Sequence, residues 1–126
     1  MPLDLFSRKL VLLVEDHPLI AYDVEREFRK AGARVIAAAH LDAALPMADH
    51  PDLSGAVIDL RLGAESATPI CRRLVERKIP FIVHTGYAAD AVQQHWPAVP
   101  IIQKPARPEE IVDRLAKCLE PCHLIA

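Results

Sequence analysis

A chain of 126 residues is near the usual size of one compact domain, and 52% apolar against 25% charged residues fits a globular chain rather than a disordered one. Fifteen basic against seventeen acidic residues leave a net charge of −2, which supplies no basic face for nucleic acid. No apolar run approaches the ~20 residues of a membrane span, and the first run is cut short by Glu15, so neither membrane anchor nor signal sequence is read and a cytoplasmic location is expected.

The first apolar run, Leu10–Val14, lacks polar alternation, as a strand buried on both faces does. Pro18 suits the first turn of a helix in which Ile20, Val24 and Phe28 step by four, and Gly32 stands where that helix should stop. A second strand is predicted over 35–38, followed by a helix kept short or kinked by Pro46. The third strand is predicted over 56–60, with Asp59 near its end, and Thr68 before Pro69 is a candidate cap for the third helix. Phe81–Thr85 reads as the fourth strand, and 88–96 before Pro97 leaves barely two turns for the fourth helix. After a fifth strand over 100–103 and Pro108, an apolar stripe of Ile111, Val112, Leu115, Cys118 and Leu119 runs beside Glu109, Glu110, Asp113 and Lys117.

Strands and helices alternate throughout, which predicts right-handed β-α-β crossovers. The expectation is an α/β fold, a doubly wound (βα)5 unit with a five-stranded parallel sheet in the flavodoxin-like order 2-1-3-4-5 and a reduced fourth helix. One domain is expected over 1–126, its core at about 9–119, with no output domain attached.

Ligands of such sheets bind outside the carboxyl ends of the strands, where the strand order reverses between the first and third. Glu15 and Asp16 follow the first strand, Asp59 lies near the end of the third, Thr85 ends the fourth and Lys104-Pro105 follows the fifth. Three converging carboxylates repel one another unless a cation neutralises them. Oxygen donors of this kind suit Mg²⁺. Lys104 and the Thr85 hydroxyl then match the oxygens of a transferring phosphoryl group, leaving Asp59 as nucleophile.

These residues, in the segments Ala56-Val57-Ile58-Asp59-Leu60-Arg61-Leu62, His84-Thr85-Gly86 and Gln103-Lys104-Pro105, resemble the response-regulator receiver family of two-component signalling over 9–119. The resemblance implies a phosphoprotein whose Asp59 accepts a phosphoryl group from a sensor histidine kinase or histidine phosphotransfer protein. It implies Mg²⁺ bound by Glu15, Asp16, Asp59 and the backbone carbonyl of Arg61, with Thr85 and Lys104 completing the site and a cis Lys104-Pro105 peptide. Such a domain is not an enzyme on a separate substrate, and it acts by protein contact, as a phosphorelay or as a phosphate sink. The stretch 80–87, ending in His84-Thr85-Gly86-Tyr87, is similar to the FATGUY receiver subgroup, with His84 in place of its usual Ala. That subgroup implies a kinase of the HWE type, a reduced fourth helix and no switch aromatic. Ile101 stands where ordinary receivers carry Tyr or Phe, so activation is expected to reshape 85–96 instead.

Other residues have plainer readings. Cys71, Cys118 and Cys122 are odd in number and form no C-x-x-C pair, so buried thiols are expected rather than disulfides or a Cys118-Cys122-His123 metal site. His17, His40, His50, His84, His95 and His123 lack ligand spacing; His17, beside the acidic pair, fits a helix start equally well. Tyr87 fits either a replacement switch aromatic or loop packing, and Trp96 is expected to pack over the fourth strand. A flavin binder would need a phosphate-cradling first loop, but Glu15-Asp16-His17-Pro18 would repel a phosphate. An aspartyl-phosphate phosphatase would need an acid two residues after Asp59, where Arg61 stands.

Overall fold

The computed structural model describes residues 5–86 and 90–120. In chain order its elements are β1 (Leu10–Val14), α1 (Pro18–Lys30), β2 (Arg34–Ala38), α2 (Leu41–Met47), β3 (Leu53–Ile58), β4 (Arg61–Leu62), β5 (Glu65–Ser66), α3 (Thr68–Glu76), β6 (Phe81–Thr85), α4 (Asp90–His95), β7 (Ile101–Gln103) and α5 (Pro108–Leu119). Five strands form a parallel sheet in the order β2-β1-β3-β6-β7, the expected 2-1-3-4-5 when the sheet's own strands are counted. Four crossovers carry helices, and α4 is short, as expected, with six described residues. No helix among the described residues is long and apolar enough to cross a membrane.

The uninterrupted apolar strands are explained by two cores. Leu10, Leu12, Val14, Ala56, Ile58, Phe81 and Val83 join one cluster with Ile70, Cys71 and Leu74 of α3. Val11, Leu13, Val57 and Ile82 join the other with Val24 and Phe28 of α1 and Ile111 and Leu115 of α5. Alternate side chains of each central strand therefore enter opposite cores, and neither face can carry a polar residue cheaply. Phe6, fully buried, packs edge-on against Phe28 at 5.1 Å, so the core also draws on a residue ahead of β1.

Pro18 and Pro108 occupy first-turn positions, where a missing N–H costs nothing. Helix α1 ends as Gly32 predicts: at φ +97° its N–H donates to the Arg29 carbonyl, while Ala33 N–H donates to Phe28, both at 3.0 Å. Pro46 lies inside the seven-residue α2.

Two local expectations are corrected. The third strand runs Leu53–Ile58 rather than 56–60, because its pairing with β1 begins at Leu53 and its ladder with β6 ends at Ile58. Leu60 to Leu62 do not extend that strand; Arg61 and Leu62 turn back in an antiparallel ribbon with Glu65 and Ser66, about a turn holding Gly63 at φ +63°. Thr68 is the first residue of α3 rather than its cap: Ala67 occupies the cap position, and the Ser66 hydroxyl accepts the Thr68 N–H at 3.2 Å.

Candidate functional site

The ladder itself brings the acidic residues together. Glu15 follows β1 and continues its pairing, its N–H donating to the Ala38 carbonyl at 3.1 Å, and Asp59 follows β3 with its N–H donating to the Val14 carbonyl at 2.9 Å. Thr85, 1% exposed, is the last residue of β6, and its carbonyl accepts the Lys104 N–H at 2.9 Å. The Lys104-Pro105 peptide is cis, as the resemblance implies.

The Lys104 ammonium lies 2.9 Å from Glu15 Oε1 and 2.9 Å from Asp59 Oδ2, bridging two carboxylates that are almost entirely buried. Asp16, exposed, completes a group in which ligand oxygens of Glu15, Asp16 and Asp59 lie within 4.8 Å of one another. Ionised, the three carboxylates and the Lys104 ammonium together carry a net charge of −2. Burial raises the Glu15 pKa, and the Asp59 charge adds to the rise; hydrogen bonds from Lys104 and the His17 N–H oppose it. Burial would lower the Lys104 pKa, but its bonds to Glu15 and Asp59 outweigh that and hold it above its usual value. A cluster of hard, net-negative oxygen donors fits a divalent cation such as Mg²⁺. It is the one carboxylate, His or Cys group of this kind among the described residues.

Two contacts had no counterpart in the sequence reading. Gly63 N–H donates to Asp16 Oδ2 at 2.8 Å, and Arg61 N–H donates to Asp59 Oδ1 at 3.3 Å, so the β4–β5 ribbon is tied to the site at two points. The glycine four residues after Asp59 was the available signal, since only a turn needing positive φ demands it.

His84 is 4% exposed, on the Ile82 face of β6, and its Nε2 has no hydrogen-bond partner among the described residues. Burial, then the Lys104 charge, pushes its pKa down to about 4, so the imidazole is neutral at physiological pH. His17 sits exposed at the cap of α1, without a side-chain cap bond, and donates its backbone N–H to Glu15 Oε2 at 3.0 Å. Trp96 is half-buried against the α3-side core and stacks obliquely on His95. Cys71 is buried and its thiol is pushed up to about 12, whereas Cys118 is only half-buried. Tyr87, Cys122 and His123 lie outside the described residues.

Residues 11–116 match the family described as "Response regulator receiver domain". No curated relative matches the chain. Among solved structures, a CheY-like receiver domain protein from Methanospirillum hungatei is similar at a TM-score of 0.80 and 23% identity, covering 90% of this chain and 94% of that one. A Burkholderia pseudomallei response regulator, solved with a phosphorylated aspartic acid, calcium and citrate, is similar at 0.71 and 28% identity, over 89% of this chain and 66% of that one. The receiver domain of a sensor histidine kinase from Pseudomonas aeruginosa, with magnesium coordinated in its active-site cleft, is similar at 0.75 and 22% identity, over 90% and 98%.

Proposed function

Because the chain belongs to the response regulator receiver domain family, a phosphoacceptor signalling family rather than one of enzymes acting on separate substrates, we propose that it accepts a phosphoryl group on Asp59. The donor is the phosphohistidine of a sensor histidine kinase or histidine phosphotransfer protein. The observation that carries this reading is the buried Asp59 carboxylate at the head of the central strand, held by Lys104 at 2.9 Å and grouped with Glu15 and Asp16.

An Asp59 oxygen attacks phosphorus in line with the donor's imidazole nitrogen; the O–P bond forms as the N–P bond breaks, and the imidazole keeps the electron pair and takes up a proton. Burial limits competing water around that carboxylate. Once Asp59 is phosphorylated its own carboxylate charge is gone, and the Lys104 ammonium moves its ion pair to a phosphoryl oxygen while the Thr85 hydroxyl donates to another. Glu15, Asp16, Asp59 and the Arg61 carbonyl would hold Mg²⁺, which supplies charge neutralisation at the phosphoryl oxygens. The solved relatives that carry phosphoaspartate and magnesium support this assignment. Hydrolysis of the acyl phosphate by water resets the site.

The FATGUY subgroup, and with it an HWE-type kinase, is the finer reading: the six-residue α4 and Ile101 in place of an aromatic on β7 support it. Output then proceeds by protein contact, by phosphorelay or as a sink, with reshaping of 85–96 instead of an aromatic rotation.

The test is transfer from phosphorylated candidate kinases in the presence of Mg²⁺, followed by borohydride reduction to mark the acyl phosphate. Label at position 59, lost on chelation of Mg²⁺, is expected. Label mapped to another residue would overturn the proposal.

A further inference from the structure

We infer that the backbone N–H of Gly63 is a positioning group for the cation site, holding the Asp16 carboxylate in place from the tip of the β4–β5 ribbon; this rests on the metal reading above. Asp16 is exposed, and an exposed aspartate ordinarily samples several rotamers. Its hydrogen-bond partner among the described residues is the Gly63 N–H, 47 positions along the chain and 2.8 Å from Oδ2. That length is typical of a charge-assisted bond. One of the Asp16 carboxylate oxygens lies within 4.8 Å of the ligand oxygens of Glu15 and Asp59, so the bond to Gly63 acts on a member of that group.

The turn is built to deliver that N–H. Gly63 sits at φ +63°, and a Cβ placed on it would meet nothing within 4 Å, so the glycine answers a conformational demand and not a steric one. The ribbon behind it is secured by the Arg61–Ser66 and Leu62–Glu65 pairs, and at its base Ala67 N–H donates to the Leu60 carbonyl at 2.8 Å. Its other tie, Arg61 N–H to Asp59 Oδ1, anchors the same strap to a second carboxylate of the group. Gathering three carboxylates costs repulsion; a fixed N–H dipole aimed at one of them offsets part of it. The ligand is also oriented before a cation arrives, so binding need not order it.

Mn²⁺ affinity, read by electron paramagnetic resonance, tests the inference in three variants. Gly63→Pro removes the N–H and, with its φ fixed at a negative value, also the turn that delivers it, and should bind Mn²⁺ about tenfold more weakly, in the range seen when a partner of a ligating carboxylate is removed. Gly63→Asn keeps the N–H, tolerates positive φ and should bind within about twofold of the parent protein. A glycine needed only for folding would leave the affinity of the folded Pro variant unchanged, and that result would overturn the inference. Should the Pro variant not fold, amide hydrogen exchange decides. Gly63 N–H should exchange at least about tenfold faster in Asp16→Ala than in the parent, as loss of a net-stabilising charged bond requires, and an unchanged rate would overturn it. Asp16→Ala binding Mn²⁺ like the parent would instead sink the metal assignment itself, leaving the two failures distinguishable.

Discussion

Replacing Lys104 by Met keeps the aliphatic stem but removes the ammonium that lies 2.9 Å from both Glu15 and Asp59. At an effective dielectric near 20, each contact is worth roughly 6 kcal/mol before desolvation. Removing one partner of a buried pair costs about 3–5 kcal/mol, because the remaining charges are left uncompensated. The Lys104 side chain is 20% exposed while those of the acids are 2% and 6% exposed, which favours the lower end, about 3 kcal/mol. Protonation of Glu15 limits the loss. Its folded pKa is already raised by burial, so its contribution to stability is present below 4.5 and lost as pH rises through the higher folded value. Without Lys104 that value rises further, and the gap between variant and parent should narrow on acidification from neutrality. Saturating Mg²⁺ should narrow it as well, since a cation bound only by the native state supplies the missing positive charge. Urea unfolding at neutral and acidic pH, with and without Mg²⁺, measures all three effects. An unchanged midpoint and slope for the metal-free variant at neutral pH would refute the claim that the two carboxylates depend on Lys104.

Asp59→Asn should keep the fold, the two side chains being nearly isosteric and Glu15 still pairing with Lys104, yet take no stable label from a phosphohistidine donor; radiolabelling with peptide mapping checks it. His84, with its pKa pushed down to about 4, stays neutral in the fold while the unfolded chain takes up a proton below 6.5. Stability should therefore fall between pH 6.5 and 4 by up to about 3 kcal/mol relative to His84→Ala; imidazole NMR shifts and unfolding curves should agree, and a parent–variant difference that is flat with pH would refute it. Gly55→Val should destabilise by about 1–3 kcal/mol by overpacking, because a Cβ there already meets the Pro80 carbonyl at 3.3 Å and Leu115 at 3.4 Å; thermal unfolding measures it. Cys71, buried with its thiol pushed up to about 12, should resist maleimide at neutral pH until the protein unfolds, while Cys118 reacts in the native state.

The alternation of unbroken apolar strands with amphipathic helices was readable from local pattern alone, because a strand buried on both faces has no room for polar residues and a covering helix must alternate its faces. That pattern implied a parallel sheet with helices on both faces, and the order 2-1-3-4-5 chosen for it puts Glu15, Asp16, Asp59, Thr85 and Lys104 at one end of the sheet, since each ends or follows one of its strands. The short α4 was equally legible, because Pro97 limits it from one side. The ribbon was not. Leu60, Arg61 and Leu62 continue an apolar alternation that suits a longer β3, and nothing local says that Ala67 N–H will close back on Leu60 and turn the chain. Likewise the roles of Gly63 and of His84 depend on partners, or on a missing partner, supplied by distant segments. Periodicity reports which face of an element is buried. It does not report what a backbone N–H meets 47 residues away or how much water remains beside an imidazole, and those are decided only when the sheet, the ribbon and α5 close around the site.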